Sequence, residues 1–155
     1  MKLKTWRESG NYFDYRGFPI FYRQSKASDE VTLCLHGFPT SSHDYHKIHD
    51  ALAEQFAVLS FDMIGYGFSA KPVKFDYTTF NQADLLQSLL EYLKVRKVHI
   101  LAHDYGNTIT QELLARIGRC VSGNNAPFKK QTVSIEKFKR LSSARASNSC
   151  VIVLP

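Results

Sequence analysis

Three short stretches of this chain carry residue types that can do chemistry together. In "AHDYG" (Ala102 to Gly106), an apolar strand-like run ends in a tight corner with Asp104 at its tip, and a helical pattern follows. The small residues Ala102 and Gly106 flank the tip by two positions, as a strained strand-to-helix turn requires where two backbones pass close together. A carboxylate at such a tip can attack carbon and form an ester, which water must then cleave. The helix start behind Asp104 favours its ionised form. The plainer reading, Asp104 as a mere N-cap, explains the corner alone but not the two other loops.

The second stretch, "HGFP" (His36 to Pro39), ends an earlier apolar strand. Gly37 lets that backbone turn toward the corner, so the amide N–H groups of Phe38 and Tyr105 can converge on one developing oxyanion. The third, "DMIGYGFSA" (Asp62 to Ala70), contains a G-x-G-x-x-A pattern seen in dinucleotide binders. That fingerprint must open a helix, whereas Lys71-Pro72 stops one, so Asp62 and the two glycines read as shapers of a loop beside the site.

The elements that must position these loops alternate. "NYFDYRG" and "PIFYRQS" read as two strands joined by a turn. Val31 to His36, Ala57 to Asp62 and Lys97 to Ala102 read as buried strands. Tyr45, Ile48, Leu52 and Phe56 mark one helix, and Phe80, Ala83, Leu86, Leu90 and Leu93 a second. A third spans Thr108 to Ile117. The fold expected is α/β, a mostly parallel sheet with helices on both faces and a meander at one edge. Reactive groups then collect at the carboxyl ends of the strands, where all three loops lie.

In this order, "HGFPTSSHDYHKI", "FDMIGYGFSAKP" and "AHDYGNTITQELLAR" resemble the α/β-hydrolase superfamily. Within it they resemble the aspartate-nucleophile branch of epoxide hydrolases and haloalkane dehalogenases, and most of all the mesoderm-specific-transcript-like hydrolases. The resemblance covers about Thr5 to Arg116, the N-terminal half of such a domain. It implies Asp104 as nucleophile, Phe38 and Tyr105 as oxyanion-hole amides, an epoxide-like or other small apolar substrate, and no metal or organic cofactor. Dehalogenases of this type are similar to a His-Gly-Asn-Pro pattern with Trp after the nucleophile. Phe38 and Tyr105 stand there instead, against halide chemistry. Asn107 replaces an acidic residue usual in the nearest group.

In the superfamily pattern, nucleophile, acid and histidine follow one another along the chain. All six histidines here (His36, His43, His46, His49, His99, His103) precede Asp104, and only Glu112 and Glu136 follow it as acids. His103 leaves its strand on the opposite side of the pleat. His36 reads as a fixer of its loop rather than a base.

The chain has 155 residues, enough for one domain, and a net charge of +6. Up to Ile117 the 13 Lys/Arg match 13 Asp/Glu, while 118–155 holds 7 basic residues and one acidic. The expected organisation is therefore residues 1–117 as an incomplete α/β-hydrolase domain and 118–155 as an irregular, poorly ordered basic tail. That tail is read as an ending that replaces the second half of the domain, as an alternative transcript or mis-joined gene model would. A catalytically incomplete fragment, or a non-enzymatic binding product, is thus the competing expectation. With no recognition motif in the tail, nucleic acid is not an expected partner. "CVIVLP" alone in it resembles a strand, which can cover the otherwise open edge of the Asp104 strand. Three unpaired cysteines, no apolar leader and no run of about 18 apolar residues lead to the expectation of an intracellular protein without a membrane span.

Overall fold

The computed structural model describes residues 1–122 and the strand at 149–153. Its sheet has the order β1-β2-β4-β3-β5-β6, formed by β1 (Asn11–Tyr15), β2 (Phe18–Gln24), β3 (Glu30–Leu35), β4 (Val58–Phe61), β5 (Lys97–His103) and β6 (Ser149–Val153). The core β4-β3-β5 is parallel, and the β1-β2 meander joins it antiparallel through β4. β6 pairs antiparallel with β5, with Leu101 opposite Val151 and His103 opposite Ser149. The rest of the basic tail, 123–148 and 154–155, lies outside the described residues.

Alternation along β3 and β5 sorts the two faces, since successive side chains point to opposite sides of a strand. Val31, Leu33 and Leu35 of β3 and Val98, Ile100 and Ala102 of β5 enter the main core. There they meet Ala83, Leu86 and Leu89 of α3 (Thr79–Tyr92) and Ile109 and Leu113 of α4 (Tyr105–Ser122). Cys34 and Leu101 point the other way, onto Tyr45, Leu52 and Ala53. Burial raises the Cys34 thiol to about 12, so it is an inert core residue.

Three local differences from the sequence reading have physical causes. The polar start "MKLKTWRESG" carries no periodic signal, yet α1 (Leu3–Glu8) forms because Trp6 is wholly buried. The helix expected over Tyr45 to Phe56 is a 3₁₀ turn (Ser42–Lys47) followed by a short α2 (His49–Ala53). Tertiary hydrogen bonds fix that turn: Ser42 N–H donates to Asp62 Oδ1 at 2.7 Å, and Tyr45 Oη to the Leu35 carbonyl at 2.7 Å. Finally, α4 starts at Tyr105 and continues through Ile117 to Ser122, three residues earlier and five later than the hydrophobic spacing marks.

Candidate active site

Asp104 sits between the end of β5 and the first residue of α4, with φ +50. An N-cap residue normally has extended backbone, so this left-handed conformation marks a forced corner rather than a simple cap. For a non-glycine residue it costs on the order of 1 kcal/mol or more. Close packing imposes the corner. A Cβ built on Gly106 would lie 2.7 Å from the Leu35 carbonyl and 2.8 Å from that of His36, so only glycine lets α4 approach the end of β3. On the facing loop, a Cβ on Gly37 would lie 2.6 Å from Asp104 Cβ. The sequence-expected glycines are thus where two backbones and a carboxylate crowd together.

Phe38 N–H donates to Asp104 Oδ1 at 2.8 Å. That bond first, and the Tyr105 N–H second, hold the Asp104 carboxyl below the ordinary carboxylate range, against a small opposing effect of desolvation. The carboxylate itself is exposed. The Phe38 ring is 67% exposed, so its backbone rather than its side chain serves the corner. Tyr105 reaches back to α3, its Oη 3.5 Å from Thr79 Oγ1. Asn107 N–H bonds the Asp104 carbonyl at 3.0 Å, while the buried Asn107 Oδ1 has no partner among the described residues.

The "DMIGYGFSA" loop opens no helix: it turns through Gly65 (φ +95) and Gly67 (φ +47), and the next helix begins only at Thr79. Asp62, fully buried, accepts from Ser42 N–H and, at 2.6 Å, from Phe68 N–H. Lys71 Nζ closes the loop by donating to the carbonyls of Tyr66, Gly67 and Ser69. These contacts leave no phosphate cradle, and the dinucleotide reading falls.

Neither neighbouring histidine faces the Asp104 carboxylate as a base. His103 Nε2 lies 3.3 Å from Asp44 Oδ2, and its ring packs 5.9 Å from Tyr45, on the far face. His36 is wholly buried and spends both ring nitrogens on backbone, Nδ1 to the Gly37 carbonyl (2.9 Å) and Nε2 to Met63 N–H (3.1 Å). Burial pushes its pKa down.

Sequence reasoning missed the cluster behind the site. Trp6 Nε1 donates to Ser42 Oγ (3.2 Å), the Arg23 guanidinium lies over the Trp6 ring (4.6 Å) and also bonds His49 Nδ1 and Asp50. A lone Trp in a polar segment was the available signal. Among the described residues, no cluster of three or more His, Cys, Asp or Glu suits a metal, and no helix is long and apolar enough to cross a membrane.

This geometry is that of a known fold. The family described as alpha/beta hydrolase fold matches residues 31–129, and the chain belongs to that family. It is 43% identical over 127 residues to the mesoderm-specific transcript homolog protein of Bos taurus, covering 78% of this chain and 38% of the relative. To a haloalkane dehalogenase of Mesorhizobium japonicum it is 37% identical over 102 residues, 66% of this chain and 33% of the relative. Solved structures agree. A haloalkane dehalogenase loop variant from Bradyrhizobium elkanii superposes with a TM-score of 0.65 at 33% identity, covering 70% of this chain and 36% of that one. An epoxide hydrolase variant from Vigna radiata gives 0.63 at 29%, covering 68% and 34%. The chain thus spans little more than a third of the relatives it matches.

Proposed function

We propose that this chain presents Asp104 as the nucleophile of an α/β hydrolase that works through an aspartyl ester on an epoxide-like or other small apolar substrate. The observation that carries the reading is the 2.8 Å hydrogen bond from Phe38 N–H to Asp104 Oδ1, joined by the Tyr105 amide. These donors divide the work of the two carboxylate oxygens. Oδ1 is held by protein, so Oδ2 is the oxygen left to attack. It forms a bond to an epoxide carbon as the ring C–O bond breaks, and the alkoxide takes a proton from solvent. When water later attacks the ester carbonyl, negative charge develops on Oδ1, where the Phe38 amide already points, with the Tyr105 amide beside the same carboxyl. Donors preset at that place are worth more than donors that must be recruited.

The second step needs a base to take the proton of the attacking water. No histidine follows Asp104 in this sequence, and His36 and His103 are committed elsewhere. Taken by itself, the chain is therefore a half-mechanism: it forms the ester and holds it. The relatives' names favour epoxides and haloalkanes as probes, and the Phe38 and Tyr105 substitutions favour the epoxide.

The experiment is incubation of the protein with a simple 1,2-epoxyalkane and intact-mass analysis. We expect one adduct of the epoxide's mass, mapped to the peptide holding Asp104 and absent from Asp104→Asn. An adduct on a histidine or cysteine, unaffected by that substitution, refutes the assignment.

A further inference from the structure

We propose that His36 is a positioning residue whose neutral ring locks the Gly37–Phe38 peptide so that its N–H points at Asp104. One donor beside the ring has a fixed role. Met63 N–H points at His36 Nε2, so that nitrogen must accept and carries no proton. The ring proton is then on Nδ1, which donates to the Gly37 carbonyl at 2.9 Å. Thr40 N–H donates to the same carbonyl at 3.1 Å. Thr40 Oγ1 also lies 3.1 Å from it, but its single proton goes to the closer and charged Asp44 carboxylate.

The Gly37 carbonyl and the Phe38 N–H belong to one planar peptide group. Anchoring its oxygen therefore sets the direction of its N–H, which meets Asp104 Oδ1 at 2.8 Å. Through Met63, His36 also ties this peptide to the end of β4, just beyond the buried Asp62. The lock is thus set between two strand ends rather than within one flexible loop. Burial keeps the ring neutral, with Tyr66 packed edge-on at 5.4 Å; the nearby His103 acts in the same direction, while the carboxylates of Asp62 and Asp44 oppose it and are outweighed.

The proposal rests on the reading of Asp104 as the reacting group, but its test reads the carboxylate directly and so fails separately from the activity. His36→Asn keeps a donor near the Nδ1 position, whereas His36→Gln offers its amide only near the Nε2 position. Carbon-13 NMR titration of Asp104 in the full chain should show a nearly native midpoint for His36→Asn. For His36→Gln it should rise by about one pH unit, because a hydrogen bond to the charged form is lost. The pH dependence of adduct formation should move upward in parallel. Thr40→Ala should leave both midpoints in place. Equal midpoints in folded Asn and Gln variants would overturn the proposal. Should the Gln variant not fold, the tautomer decides in the unaltered protein: nitrogen-15 spectra showing the proton on Nδ1 support the lock, and a proton on Nε2 overturns it.

Discussion

The two ends of the same two strands are built on different principles. At their carboxyl ends, β3 and β5 lead into Gly37 and the exposed Asp104, and the polar groups behind them, His36 and, after β4, Asp62, are buried and bonded to backbone. At their amino ends, Glu30 bridges Lys97 (3.0 Å) and His99 (2.7 Å), and Arg96 pairs with Asp29, all through side chains largely in water. Glu30 and His99 line an open depression of about 280 Å³ that also takes in Lys26 and Phe56. One end fixes direction; the other merely balances charge. The lesson is that hydrogen bonds to a rigid backbone can aim a reactive group, whereas pairs of mobile side chains cannot.

Substitutions at the two ends should differ accordingly. The largest effect falls on Gly106: Gly106→Val drives carbons into the carbonyls of Leu35 and His36, which are backbone and cannot step aside. We expect a loss of roughly 3 kcal/mol or more, or no folded protein at all, by chemical denaturation. Asp62→Ala comes next. It strands the Ser42 and Phe68 N–H groups in the interior, at a cost of about 2–4 kcal/mol. Thermal unfolding followed by circular dichroism checks both.

Acid gives a smaller and graded effect. The buried His49 imidazole, desolvated and facing Arg23, is lowered to about 4, and His36 is shifted in the same direction. The unfolded chain then takes up protons first, near pH 6.5, so stability is complete above that pH and falls as the pH drops toward 4. A loss of roughly 2 kcal/mol attributable to His49 is expected, and His49→Gln should flatten the curve. At the opposite end, Glu30→Gln should cost less than about 1 kcal/mol, and 1 M salt should erase most of the difference. A Glu30 effect as large as that of Asp62 would break the comparison.

Much of this contrast was legible before any coordinates. The Asp104 corner, the small residues around it and the alternation of strands and helices follow from local rules of spacing and size. The approach of the Phe38 N–H to Asp104 followed as well, since a glycine beside a strand end leaves few directions for the next N–H. What stayed hidden depends on long-range partners. Nothing local marks Ser42 as the residue that joins Trp6 to Asp62, 36 positions from one and 20 from the other. The helix pattern of Tyr45 to Phe56 was overridden by that same anchoring. Nor does any spacing reveal which nitrogen of His36 bears the proton; that is settled by the neighbouring Met63 amide.

The most direct measurement is the lifetime of the Asp104 adduct after excess epoxide is removed, followed by mass spectrometry in water enriched in oxygen-18. An ester that persists for hours, with no heavy oxygen entering the Asp104 carboxyl, is the outcome that the proposed half-mechanism predicts. Decay within seconds, with oxygen-18 appearing in Asp104, would contradict the account and reveal a base within these 155 residues.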